Sequence, residues 1–444
     1  MVIFMNKRKI ILFILFCILI FCYVHFFSYM SRDEIWNYGF SYNISKGMVP
    51  YRDFNMVITP LFNFIGSFFI KIFGNYLYSV NILISLIATL ILFLMYSTIG
   101  KKVFIILPLI TLYLFYSYNI FCILLMVIIL NCINSNYKNK DILISLLVSF
   151  IFLTKQSIGL CLVIPLIYYS KNKLKDIIIF LIPICIFLIY LIYNDALYNF
   201  IDYCFLGLFN FKEDNSCFAF LVLEIPLCLF LLYNLIKSTF GDGLCFYTLM
   251  FQVVSYPLMD DYHFMIGFIM FLYYIFLKYE IKDKFIKYFI VLSCSYMIFS
   301  VFIPSNTTFG NFNNFKYYSN SFLYGRLVSG ISQKNLDTLS DYLLNKDKEY
   351  DNVYILSEYA YIVKLYSDLS INKYDLINDG NMGYNGSDRY ISEIVANCKV
   401  NSCLFVLGSE NENQTNVDIL KYVSSNYFYK GLLLNHFEVY DNDK

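Results

Sequence analysis

The chain has 444 residues, of which 59% are hydrophobic and 15% charged, and its mean hydropathy is +0.60. Soluble domains average roughly 25% charged and 45–50% apolar residues, so this composition indicates a polytopic membrane protein. A net charge of +1, without a dense basic run, excludes the charge pattern typical of nucleic-acid binding.

Apolar runs of about 15–20 residues, long enough to cross a bilayer, recur along the chain. We predict about eleven membrane-spanning helices, at residues 10–27, 77–99, 103–117, 119–134, 142–154, 157–170, 177–193, 217–236, 243–258, 262–278 and 286–303. No small-residue cleavage site follows the first run, so we expect a retained helix and not a signal peptide. A further apolar segment, 61–73, is expected at the membrane interface or dipping into the membrane.

Basic residues lie before the first predicted span, at residues 7–9, and after every second span, at residues 101–102, 138–140, 171–175, 237 and 278–287. Cytoplasmic loops carry the excess of lysine and arginine, so the N-terminus is predicted to be cytoplasmic in a multi-pass cell-membrane protein. The segments then left outside are 32–53, Lys155, 194–215, 260–263 and everything after residue 304. Lys155 and Arg52 go against the charge bias and therefore need another explanation.

From about residue 304 the composition turns polar. Leucines 336, 339 and 343 recur at helical spacing, segments 388–398 and 415–424 also look helical, and 353–356, 403–407 and 436–440 read as strands. We predict a transmembrane catalytic domain, 1–303, and a small extracytoplasmic α/β domain, 304–444. Cys398 and Cys403 in the second domain could pair, although an even cysteine count is weak evidence.

The first external loop, 28–60, holds Asp33 and Glu34 directly after the first span. Ser31 to Glu34 matches a capping box, and the following residues predict an amphipathic helix along the outer surface, anchored by Trp36. In one interpretation the two acids only favour the helix dipole. In the other, Glu34 caps the helix and Asp33 is free for chemistry, because ionisable residues held beside a membrane are costly and usually functional.

This loop, with its Asp-Glu pair, its aromatic-rich helix, the run 47–54 and Thr59-Pro60, resembles the GT-C membrane glycosyltransferases. It is similar in particular to protein O-mannosyltransferases and to bacterial lipid A and lipopolysaccharide sugar transferases. Segments 152–156, 195–200 and 256–263 also resemble the family, although each match is weak by itself. The resemblance covers about residues 10–300. The first-loop motif is moderately specific.

The resemblance implies an inverting transfer of a hexose or pentose from a polyprenyl-phosphate donor, at the extracytoplasmic face, to a glycan, lipid or protein acceptor. The family's base, an aspartate of the first external loop, maps onto Asp33, although Glu34 remains an alternative. A carboxylate must take the proton of the attacking hydroxyl, and cations or a metal must meet the charge of the leaving phosphate. The candidates for binding substrate are Arg52, Asp53, Lys155, Gln156, Asp260, Asp261 and His263.

Two of these candidates also have a structural interpretation. Lys155 either binds phosphate or snorkels to the interface. The resemblance makes His263 a phosphate contact or a metal ligand, whereas a purely structural His263 would bond its own loop. The sequence establishes no cofactor, and a divalent metal is left open.

Two other functions fit the same architecture. One is a lipid-linked glycan polymerase or ligase, and the other is a transporter or flippase, which would spread polar residues along the spans. Here the ionisable residues cluster on the external side, which favours an enzyme. The sugar, the carrier lipid and the acceptor stay undetermined at this level.

Overall fold

The computed structural model describes residues 7–27, 32–255, 260–288 and 333–442, apart from 113, 115, 211–217, 283, 358, 378, 385 and 409–415, together with the single residues 291, 295 and 322. These residues are mostly helical, with one sheet near the C-terminal end. The boundary expected at residues 303 and 304 and most of the eleventh predicted span lie outside the described residues.

The first part of the chain is a bundle of apolar helices. In chain order they are α1 (Lys7–Cys22), α2 (Arg32–Ser45), α3 (Leu61–Phe73), α4 (Leu77–Ile99), α5 (Val103–Leu112), α6 (Tyr118–Ile133), α7 (Lys140–Phe152), α8 (Gln156–Tyr169), α9 (Lys173–Tyr193), α10 (Leu197–Ile201), α11 (Phe218–Lys237), α12 (Gly243–Phe251) and α13 (Asp261–Lys278). α4 packs against α1 and α6, α7 against α6, α8 and α9, and α12 against α8, α11 and α13.

Within the described residues, three helical stretches are long and apolar enough to cross a membrane: Leu77–Thr111, Lys173–Tyr193 and Phe220–Lys237. Ile186 and Ile189 of α9 are exposed, as are Leu229 and Tyr233 of α11. Large apolar side chains exposed along a helix are what a lipid-facing surface requires. Shorter apolar helices occupy most of the other predicted spans, so the count of about eleven crossings stays a prediction.

α2 is covered by protein and is not the exposed amphipathic helix that was predicted. Its side chains are buried on every side, including those of Tyr38 and Tyr42. α3 covers one side of the helix and residues 360–371 cover the other, where a Cβ atom added at Gly39 would lie 2.5 Å from the Ile371 side chain. Trp36 meets the edge of the Tyr361 ring and is therefore a protein contact in the structure.

The C-terminal region forms a four-stranded mixed sheet with helices packed on it. Its strands are β1 (Asn352–Leu356), β2 (Cys403–Leu407), β3 (Phe428–Leu433) and β4 (Phe437–Asp441), and its helices are α14 (Gln333–Lys346), α15 (Ala360–Tyr366), α16 (Gly386–Cys398) and α17 (Val417–Asn426). The strand order is β1-β2-β4-β3, with β1 and β2 parallel and the other pairs antiparallel. Three strands match the predicted segments, and β3 was not predicted. Cys398 and Cys403 form a disulfide.

The C-terminal region packs directly on the first loop. Asn43 Nδ2 donates to the Ile371 carbonyl at 2.7 Å, and the Ile371 amide donates back to Asn43 Oδ1 at 3.3 Å. Asn55 Nδ2 donates to the carbonyls of Leu376 and Asn381 at 3.0 and 2.7 Å. Each amide side chain thus bonds main-chain groups of the C-terminal region, which fixes that region over α2.

Candidate active site

Asp33 lies half-buried in the first turn of α2, and its main-chain carbonyl accepts a hydrogen bond from Asn37 Nδ2 at 2.7 Å. Its carboxyl group interacts electrostatically with His263, Asp260 and Lys155. Burial raises the pKa of Asp33, and the charge of Asp260 adds to this, while His263 and Lys155 oppose it. The fold therefore brings together four predicted site residues from three separate parts of the chain.

Lys155 lies in the turn between α7 and α8, and its side chain is buried. Its Nζ donates to the Val254 carbonyl at 3.2 Å and to Asn119 Oδ1 at 3.4 Å, and it lies 5.6 Å from the Tyr118 ring centre. Burial lowers the pKa of Lys155 to about 8, because it outweighs the acidic groups nearby. Among the described residues Lys155 has no direct ion-pair partner.

Asp260 and His263 form a pair at the start of α13. Asp260 Oδ1 accepts from the His263 main-chain amide at 2.7 Å and lies 2.8 Å from His263 Nδ1. Burial alone would raise the pKa of Asp260, but the hydrogen bonds from His263 and the charge of Lys155 outweigh it and lower the pKa. With Nδ1 bonded to Asp260, the Nε2 atom is the ring nitrogen left for a ligand.

Three helices begin at this cluster. The N-cap residues are Ser117 of α6, Lys155 of α8 and Asp260 of α13. A helix N-terminus carries a partial positive charge and unsatisfied amide groups, so it favours a negatively charged ligand. The arrangement suits an anion such as phosphate.

A polar segment that the sequence analysis overlooked completes the cluster. Tyr118 interacts electrostatically with Asp33, and Tyr262 interacts with Ser117 and Asn119. The segment 117–119 joins two predicted spans on the side that the alternation of charges places outside. It contains no side chain that is charged at neutral pH, so the pattern of charges in the sequence does not indicate it. Its signal is a short Ser-Tyr-Asn sequence between two apolar runs.

A buried hydrogen-bond network holds the helix that carries Asp33. Ser41 Oγ lies 2.6 Å from the Tyr116 hydroxyl, and Asn63 Nδ2 donates to the Asn37 carbonyl at 3.0 Å. A Cβ atom at Gly66 would lie 1.7 Å from the Tyr116 hydroxyl oxygen, so α3 can approach only with glycine there. The network ties α2 to α3 and to the residue just before Ser117, which positions Asp33 against the start of α6.

Two of the predicted substrate-binding residues lie elsewhere. Arg52 pairs with its neighbour Asp53 through Nε and Oδ1 at 2.8 Å, and 45% of its side chain is exposed. The titratable groups that act on Arg52 are Asp53, Tyr190 and Asp195, and they differ from those that act on Asp33. Adjacent residues can pair whenever their side chains lie on the same side. The positive charge of Arg52, which was predicted to bind phosphate, is compensated by this local ion pair with Asp53.

Gln156 has a structural role: its Nε2 donates to the carbonyls of Val57 and Cys204 at 2.9 Å each. It thereby links the first loop to the segment after α10. Glu34 is fully buried beside Asp33, whereas Ser31, its predicted capping partner, lies outside the described residues. Asp261 begins α13, and its side chain is not among those described. No group of three potential metal-binding side chains occurs within the described part of the chain.

The predicted resemblance is supported at the level of the overall fold. Two solved structures of ArnT from Cupriavidus metallidurans share it. The apo structure gives a TM-score of 0.61 at 9% identity over 98% of both chains. The structure bound to undecaprenyl phosphate gives 0.58 at 10% identity over 99% of both chains. No protein-family model matches the sequence, and no curated protein matches it.

Proposed function

We propose that this chain is an inverting glycosyltransferase that moves a sugar from a polyprenyl-phosphate donor to an acceptor hydroxyl at the extracytoplasmic face. The proposal rests on one observation: the Asp33 carboxyl group lies within electrostatic range of a buried lysine, Lys155, that has no ion-pair partner among the described residues. Burying an ammonium group is costly unless an anion compensates it. The phosphate of a lipid-linked donor is such an anion. One of the two structural neighbours was solved with undecaprenyl phosphate bound.

Asp33 acts as the general base. The acceptor oxygen attacks the anomeric carbon while its proton passes to the Asp33 carboxylate. The bond from the anomeric carbon to the phosphate oxygen breaks, and its electron pair leaves with the polyprenyl phosphate. A single displacement of this kind inverts the anomeric configuration. The raised pKa of Asp33 supports the role, because it makes the carboxylate a better proton acceptor than an exposed one.

Lys155 stabilises the leaving phosphate. Its ammonium group, together with the starts of α6, α8 and α13, provides positive charge where negative charge develops on the leaving oxygen. His263 is a second contact in this proposal, because its Nε2 atom faces away from Asp260. A protonated Nε2 would donate to a phosphate oxygen, and an unprotonated one would bind a metal ion.

The test is sugar transfer by the purified protein in lipid nanodiscs. The donors are polyprenyl-phosphate pentoses and hexoses with a radiolabelled sugar, and the acceptors are envelope glycans, glycolipids and proteins. We expect Asp33→Asn to lower the rate about 10²–10⁴-fold while donor binding persists. The matched control is Asp53→Asn, in the same loop, whose ion pair with Arg52 lies apart from the cluster.

Full turnover by Asp33→Asn would remove the base from this mechanism. A wild-type protein that moves intact lipid-linked sugar across vesicles, with no glycosidic product, would instead support the flippase. A lipid-linked acceptor as the best substrate would point to a glycan polymerase or ligase with the same chemistry.

A further inference from the structure

We infer that Asn119 is a second donor to the phosphate of the lipid-linked substrate, so that Lys155 and Asn119 bind it as a pair. This inference rests on the proposed function, because it assigns a further residue to the phosphate site. Asn119 lies in the first turn of α6 and is 1% exposed. The rest of α6 is apolar apart from Asn131, and an uncharged amide adds nothing to the charge pattern of the sequence.

The orientation of the Asn119 amide follows from its contact with Lys155. Lysine has three donor hydrogens and no acceptor, so the amide atom facing Lys155 Nζ must be the oxygen. Asn119 Oδ1 accordingly lies 3.4 Å from that nitrogen. The amide nitrogen, Nδ2, must then face another direction.

Asn119 Nδ2 is buried and makes no hydrogen bond of regular geometry among the described residues, although the Tyr262 hydroxyl interacts with the Asn119 side chain. Leaving a buried donor unpaired costs about 1–3 kcal/mol, so such groups usually have a partner or a ligand. Lys155 also keeps a donor hydrogen, because the described structure accounts for two of its three. Two donors on adjacent side chains, one of them charged, match the several acceptor oxygens of a phosphate group.

The neighbours of Asn119 favour phosphate over a neutral ligand. The Tyr118 ring lies beside Lys155, the α6 N-terminus contributes positive potential, and Asp33 lies close enough to act on the Tyr118 hydroxyl. A phosphate held by Lys155 and Asn119 therefore lies next to the proposed base. This is the placement required for the anomeric carbon to sit between acceptor and leaving group.

The test compares binding of undecaprenyl phosphate with binding of undecaprenol, which lacks only the phosphate. The protein is full-length in nanodiscs, and its preference is the ratio of the two dissociation constants. The variants are Asn119→Asp and Asn119→Leu. Asp keeps the acceptor for Lys155 but loses the amide donor, whereas Leu loses both. We expect each to reduce the preference for the phosphate at least about tenfold, as for a hydrogen bond to a charged group.

Asn131 provides a matched control on the same helix. Its Oδ1 also accepts a hydrogen bond, from Tyr273, and its Nδ2 is also unpaired among the described residues. It lies 12 positions further along α6, about 18 Å away at the helical rise. Asn131→Asp and Asn131→Leu should leave the preference for phosphate unchanged.

Two outcomes would overturn the inference. If both Asn119 variants keep the wild-type preference, Asn119 does not contact phosphate. If Asn119→Leu loses it and Asn119→Asp keeps it, Asn119 only orients Lys155. Asn119→Asp also adds a negative charge beside Lys155, which by itself repels phosphate. Should Asn119→Leu fail to fold by thermal melting, Asn119→Ala, which likewise loses both polar atoms without adding a charge, replaces it. A wild-type protein that prefers the phosphate but transfers no sugar would refute the proposed function and leave this inference standing.

Discussion

Replacing Lys155 by methionine removes the charge of the proposed phosphate site and keeps the length and apolar body of the side chain. Lys155 is buried, so the substitution acts inside the site and not at the surface. We expect the affinity for the lipid-linked donor to fall roughly tenfold to 150-fold. This range corresponds to about 1.5–3 kcal/mol for a hydrogen bond to a charged group.

The stability of the protein should change much less than its affinity. The pKa of Lys155 is about 8, against an ordinary value of 10.5, which corresponds to about 3 kcal/mol that burial costs the charged form. Methionine removes that cost but leaves the Val254 carbonyl and Asn119 Oδ1 without their donor, at about 1–3 kcal/mol each. The two effects have opposite signs and similar size, so the melting temperature should stay close to that of the wild type.

The assay measures the dissociation constant of the donor in nanodiscs between pH 6 and pH 10. The donor is a phosphodiester, whose charge does not change in this range. Wild-type affinity should be complete below pH 8 and fall as the pH rises through the pKa of about 8, where unliganded Lys155 loses its proton. Lys155→Met should show weak binding without this pH dependence. Turnover should decline on the acid side as Asp33, whose pKa is raised, becomes protonated.

Lys102 provides the control for this prediction. Its Nζ donates to the carbonyls of Phe276 and Tyr279 at 3.2 Å each, at the opposite end of α13 from His263. Lys102→Met therefore removes a similar set of hydrogen bonds without touching the proposed site, and donor affinity should persist. If Lys155→Met binds donor as tightly as the wild type at pH 7, Lys155 does not bind the phosphate.

Four further predictions concern the rest of the chain. Glu34→Gln should retain transfer, since the amide keeps the shape of this buried side chain, and an inactive but folded variant would exchange the roles of the two acids. Arg52→Ala should weaken donor binding less than tenfold because Arg52 pairs with its neighbour Asp53, and a larger loss would return Arg52 to the phosphate site. Cys398→Ser should lower stability by about 2 kcal/mol, because it removes the disulfide to Cys403 that closes a short loop. Melting with and without reductant measures this, and free thiols at both positions in oxidised wild-type protein would argue against the bond. An alkaline phosphatase fused after Lys444 should be active, and a silent fusion with a working cytoplasmic reporter would reverse the orientation.

The helices and most strands could be predicted because apolar residues mark them. β2 is buried along its whole length and reads as five consecutive apolar residues, so its sequence indicates a strand directly. β3 was not predicted because it is an exposed edge strand with Lys430 and Gly431 in its middle. Its apolar and polar residues do not alternate as they do in a typical half-buried strand. The burial of α2 could not be predicted, because the residues that cover it are distant in sequence.

The residues of the candidate site could likewise be predicted only in part. Asp33, Lys155 and His263 stand out because charged or titratable groups are rare in an apolar chain, and the fold brings them together. Asn119 did not stand out, since an uncharged amide carries no topological signal. Arg52 was assigned to the phosphate on topology alone, and its pairing with the adjacent aspartate depends on local side-chain geometry that topology does not contain.

The cover over α2 has a consequence for biosynthesis. The hydrogen bond from Asn43 to Ile371 spans 328 residues, and the bond from Asn55 to Leu376 spans 321. The helix with the proposed base emerges early from the ribosome, yet it gains its outer partners only when most of the chain has been made. Contacts between such distant segments form late in folding. A nascent chain should therefore contain Asp33 before the contacts that position it have formed. Sugar transfer should begin only after synthesis of the C-terminal region.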